Sequence, residues 1–159
     1  MILLLAIVTG LLAGLVRAGY GRRHLRSPKL RLAWLVPLAF LPQLLAFYLP
    51  VPRHSVADNL AAAALTTSQA ILLIFAWLNR DQPGFLALGL GLALNLLVIS
   101  LNGGLMPISP EMVAQLLPPG TWQVGDRLGS NVVLPTTAMR LWWLSDHLLM
   151  PAWFPNRKA

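Results

Sequence analysis

Four apolar runs, Ile2–Val16, Leu32–Leu49, Leu60–Leu78 and Phe85–Leu101, occupy most of the first hundred residues. Each is about 15 to 19 residues, near the lower end of what a ~30 Å hydrocarbon core requires. Lipid offers the backbone no hydrogen-bond partner, so each run predicts a helix. The first is short, but the Arg17 stem can reach towards headgroups and lengthen it. Short polar connections at Arg17–Arg31, Pro50–Asn59 and Asn79–Gly84 predict antiparallel neighbours in contact. The expected fold class is therefore all-α: a polytopic transmembrane bundle of four helices over residues 1–101.

The pattern changes after Leu101. Residues 102–137 are rich in proline and glycine and hold no unbroken apolar run, which predicts an extracytoplasmic loop. Ser109 before Pro110 predicts a short helix over Pro110–Leu117, with the serine as N-cap and the proline in the first turn. Leu141–Phe154 is apolar but interrupted by Asp146, His147 and Pro151. It is too short and broken to span. Its tryptophans, Trp142, Trp143 and Trp153, suit the membrane interface. Residues 102–159 thus form the second region, a loop and an interfacial tail.

Composition agrees with a lipid-facing chain: 57% of the 159 residues are apolar and 11% charged, against about one-quarter charged in soluble domains. Mean hydropathy is +0.66. The net charge of +7 would suggest nucleic acid if spread over a wet surface. Here half the basic residues cluster between Arg17 and Arg31, so no nucleic acid is expected. The anticipated partners are the lipid bilayer, with anionic headgroups at Arg22, Arg23, Arg26 and Lys29, and a membrane protein. That cluster also sets orientation. With the first loop cytoplasmic, the N-terminus and the long loop lie outside. Cations follow the first apolar run rather than precede it, so it reads as a retained helix and not a signal peptide.

Candidate chemistry is sparse. The absence of cysteine excludes thiolate metal sites, disulfides and a cysteine nucleophile. The three histidines, His24, His54 and His147, fall outside the spans, which disfavours a haem bundle. No metal or other cofactor is expected. The candidate outer-face polar cluster is Asp126, Arg140, Asp146 and His147, although Asp146 and His147 are adjacent and point apart on a helix. Within the spans the polar residues are neutral: Gln43, Gln69 and Asn95, with Pro37 and Pro42 breaking the second helix. Small-residue seams at Gly10 and Gly14, and at Ala87, Gly89, Gly91 and Ala93, predict close helix packing.

Residues 93–109, ALNLLVISLNGGLMPIS, carry a leucine-rich helix into Asn102-Gly103-Gly104 and then Met106-Pro107. This stretch resembles the domain of unknown function 5317 family of bacterial integral-membrane proteins. Gly19–Arg23, Gln43 and the Leu141–Pro151 segment resemble that family as well. The family often has a polar or basic residue where Leu105 stands, and continues into a fifth helix, whereas this sequence ends at Ala159. The resemblance implies a bacterial inner-membrane location and no established activity. Asn102, Gly103, Gly104, Met106 and Pro107 are expected to form a structural or ligand-facing turn. The anticipated role is a non-catalytic structural or accessory subunit of a membrane complex. The alternative is a minimal transporter, or a lipid- or small-molecule-handling protein with an outer-face site.

Overall fold

The computed structural model describes residues 29–48 and 57–145, apart from the Tyr48 side chain. All the packing below lies within one unit that begins at Leu30. The expected first span, its Gly10 and Gly14 seam, the Arg17–Lys29 headgroup cluster except Lys29, and residues 146–159 with Asp146 and His147 lie outside the described residues.

Three helices correspond to the remaining apolar runs. α1 covers Leu35–Gln43 and passes at Leu44 into a π-helical turn, Leu44–Tyr48. Pro42 lies just before that change, and its missing N–H interrupts the i→i−4 ladder, a setting in which a wider turn is tolerated. α1 begins three residues later than the apolar run does, because Leu32 adopts φ 50° and turns the chain before it. α2 spans Asp58–Leu78. At ~1.5 Å per residue it is about 31 Å long, and it is long and apolar enough to cross a membrane. α3, Phe85–Leu101, starts after Gly84 in the left-handed region, φ 86°. Side chains confirm that α2 and α3 are antiparallel. Phe75 meets Phe85 edge-on, with centroids 5.6 Å apart, and a Cβ added to Gly89 would lie 3.7 Å from that of Ala76. At the other end Ala61, Leu65, Ile99 and Leu105 form a core, covered by Phe47, Ala62, Met106 and Val132.

The chain is mostly helical, as the apolar pattern predicts, but the segment after α3 is more than a loop with one helix. β1 (Met106–Ile108), α4 (Pro110–Leu116), β2 (Arg127–Leu128) and β3 (Asn131–Val133) follow in order. The strands make one sheet in the order β1-β3-β2. β1 runs parallel to β3, pairing Pro107 with Val132. β2 runs antiparallel to β3, pairing Leu128 with Asn131 across the two-residue Gly129-Ser130 turn. Gly129 supplies the positive φ, 65°, that such a tight hairpin needs. Ile108, Val113 and Val133 are the core of this module, with Met112, Leu116, Leu117, Trp122 and Leu128 around it. Ser109 caps α4 as its sequence predicts, accepting from the Met112 N–H at 3.3 Å. Arg127 joins the module to the first turn of α2 through a 2.6 Å ion pair with Asp58.

Candidate functional site

α3 ends in a Schellman turn. Gly103 and Gly104 have φ of 81° and 88°, and the Gly104 N–H donates to the Ile99 carbonyl at 2.8 Å. Gly104 also sits directly on α2: a Cβ there would come within 2.5 Å of the Ala62 Cβ. Leu105 and Pro107 then enter the interior, so an apolar residue after the double glycine has a packing reason in this chain.

Asn102 is buried at this turn. Its Nδ2 donates to the Val98 carbonyl at 2.8 Å and to the Arg140 carbonyl at 2.9 Å. Its Oδ1 accepts from the Arg140 N–H at 2.9 Å. One side-chain amide therefore caps its own helix and grips the main chain of a residue thirty-eight positions away. Asn79, buried at the end of α2, makes the same three bonds. Nδ2 donates to Phe75 O at 2.8 Å and Arg31 O at 3.0 Å, and Oδ1 accepts from Arg31 N at 2.7 Å. Each gripped arginine is followed by a leucine in the left-handed region, Leu32 at φ 50° and Leu141 at 55°. The sequence reading singled out Asn102 but not Asn79. The available signal was Arg-Leu-x-Trp-Leu, present at Arg31 and again at Arg140.

Of the candidate polar cluster, only Asp126 and Arg140 lie among the described residues. Asp126 accepts from the Gln123 N–H at 2.7 Å, while Arg140 is held through its main chain by Asn102. No hydrogen bond or ion pair joins Asp126 to Arg140 among the described residues. Nor do the described residues hold a group of three or more His, Asp or Glu that could ligate a metal. Glu111, at the start of α4, has its carboxyl held below the usual range. The Ser109 hydroxyl contributes most, then its own backbone N–H.

Gln43 is half-buried at the end of α1, and Ser68 and Gln69 lie in the middle of α2. The Ser68 hydroxyl and the Gln69 Oε1 are buried without hydrogen-bond partners. Asn95 is half-buried in the middle of α3, Gly89 faces Ala76, and Gly91 opens outward with nothing within 4 Å of an added Cβ.

A family model matches residues 27–159: the family of unknown function DUF5317. The chain belongs to that family. The DUF5317 match spans both asparagine clamps and the three-stranded sheet, and it attaches no chemistry to either. Comparison with curated proteins finds no match, and comparison with solved structures finds none.

Proposed function

We propose that this chain is a small multi-pass protein of the bacterial inner membrane that acts as a structural or accessory subunit of a membrane complex. The observation that carries the reading is the uncovered flank of α3. Leu86, Leu90, Leu94 and Leu97 are exposed there, and the neighbouring Gly91 has open space where a Cβ would stand. In water so large an apolar surface would be an aggregation liability. In lipid it is solvated, and the gap lets another helix approach closely.

Tryptophans at the helix ends support the membrane setting: Trp34 and Trp77 at the Asn79 end, Trp142 and Trp143 at the Asn102 end, all exposed. Arg80 lies 4.7 Å over the Trp77 ring, a pairing suited to the headgroup layer. On this reading the Arg17–Arg31 loop is cytoplasmic and binds anionic headgroups, and the sheet module lies outside. The unpartnered Ser68 and Gln69 atoms favour a second reading, a membrane protein that handles a small uncharged molecule.

Mild-detergent purification with native mass spectrometry tests the choice. A reproducible protein partner, lost in Gly91→Leu while the chain still folds, is the expected result. A lone monomer carrying one stoichiometric small molecule would favour the second reading and defeat the first.

A further inference from the structure

The two asparagine clamps match atom for atom, yet they sit at opposite ends of an antiparallel helix pair. On the helix side, the main-chain N–H of Asn79 donates to Phe75 and Ala76, and that of Asn102 to Val98 and Ile99. On the gripped side, Leu35 N–H donates to Leu32 O at 2.9 Å and Leu144 N–H to Leu141 O at 2.9 Å. The next pair, Val36 to Ala33 and Ser145 to Trp142, repeats at 3.2 and 3.1 Å. The sequence correspondence keeps one register through Arg31/Arg140, Leu32/Leu141, Trp34/Trp143, Leu35/Leu144 and Pro42/Pro151. The chain order differs between them: Arg31 precedes its asparagine by forty-eight residues, and Arg140 follows its own by thirty-eight.

We infer that each asparagine is the latch of a strained hinge, one hinge at each end of the helix pair. The strain lies in Leu32 and Leu141. Left-handed φ is unfavourable for a bulky side chain and persists only where its surroundings over-determine it. Two hydrogen bonds from one buried amide to the preceding arginine supply that constraint. When a latch opens, the leucine relaxes towards negative φ and releases the turn it begins. The other latch, more than a dozen residues of helix away, stays shut. The fold can thus loosen at one end at a time. That the two ends are two membrane faces rests on the function proposed above; their equivalence as latches does not.

Each latch protects an Arg–Leu bond that trypsin hydrolyses, so limited trypsinolysis with mass-spectrometric mapping reads both. In detergent, Asn79→Gly should raise cleavage after Arg31 about tenfold and leave Arg140 unchanged. Asn102→Gly should do the reverse. Tenfold corresponds to ~1.4 kcal/mol of easier opening, since cleavage follows the open population when reclosing is fast. Asn79→Asp and Asn102→Asp keep the acceptor for the arginine N–H but lose the Nδ2 donor. They should give smaller rises at the same bonds, and they serve if a glycine variant fails to fold. Unchanged cleavage, both bonds opening in either variant, or general acceleration at every Lys and Arg in the aspartate variants would overturn the latches. In sealed vesicles the two bonds should open to trypsin from opposite sides. Selective cleavage of both bonds from one side would leave the latches standing and defeat the membrane reading instead.

Discussion

Two glycines in α3 and its terminal turn separate conformational need from simple smallness. Gly104 combines φ 88° with backbone contact to Ala62, whose Cα would lie 3.2 Å from an added Cβ. A side chain there is strained twice, once by the left-handed backbone and once by a neighbour that is main chain and cannot rotate away. Gly104→Ala should therefore destabilise the folded chain by ~2–4 kcal/mol, read as a lower unfolding midpoint in detergent. Gly91 has helical backbone and open space. Gly91→Ala should be neutral or stabilise by ~0.5–1 kcal/mol. A similar loss in both variants would mean that the Gly104–Ala62 approach is not a real constraint. Asn102 belongs at this scale as well. Its amide is engaged on every side by main chain, which is why a residue resembling a ligand-facing polar group acts here as a clamp.

At the scale of elements, α4 is a seven-residue helix with an acidic residue, Glu111, in its first turn. Ser109 caps the Met112 N–H, and its hydroxyl also favours the charged form of Glu111. The Glu111 pKa is lowered in the folded chain, so the unfolded chain takes up its proton first as pH falls. The contribution is present above the ordinary glutamate range and is lost as pH drops through the lowered value. Protection factors of the first-turn amides, corrected for intrinsic exchange, should therefore fall on acidification, and Glu111→Gln should flatten that dependence. An unaltered pH profile in the glutamine variant would remove Glu111 from the account. The helices were the legible part of the sequence. α3 begins and ends where the apolar run does, because in such a run nothing but Gly84 and Asn102 interrupts the pattern. The sheet was not legible. Strands of two and three residues are too short to show alternation, and β1 finds its partner only across α4 and the β2 hairpin. Asn79 was missed for a related reason. Its partner lies forty-eight residues away, and a lone asparagine after a leucine reads locally as an ordinary helix stop.

For the whole molecule, the exposed tryptophans fall at the two helix ends and bracket apolar helix flanks, whereas Trp122 packs within the sheet module. Depth-dependent fluorescence quenching distinguishes these positions. A variant retaining only Trp77 should be quenched by lipids brominated near the headgroup more than by those brominated near the chain terminus. One retaining only Trp122 should be nearly insensitive to both. Equal quenching of Trp77 at all depths would remove the interfacial placement and weaken the membrane reading with it. Asp58 opens α2, but the arginine that pairs with it stands sixty-nine residues later. Ribosomes add about 5–20 residues each second, so the start of that helix waits roughly 3 to 14 s for its counter-ion. During nascent-chain synthesis the aspartate at the beginning of α2 stays without this partner until Arg127 has been added.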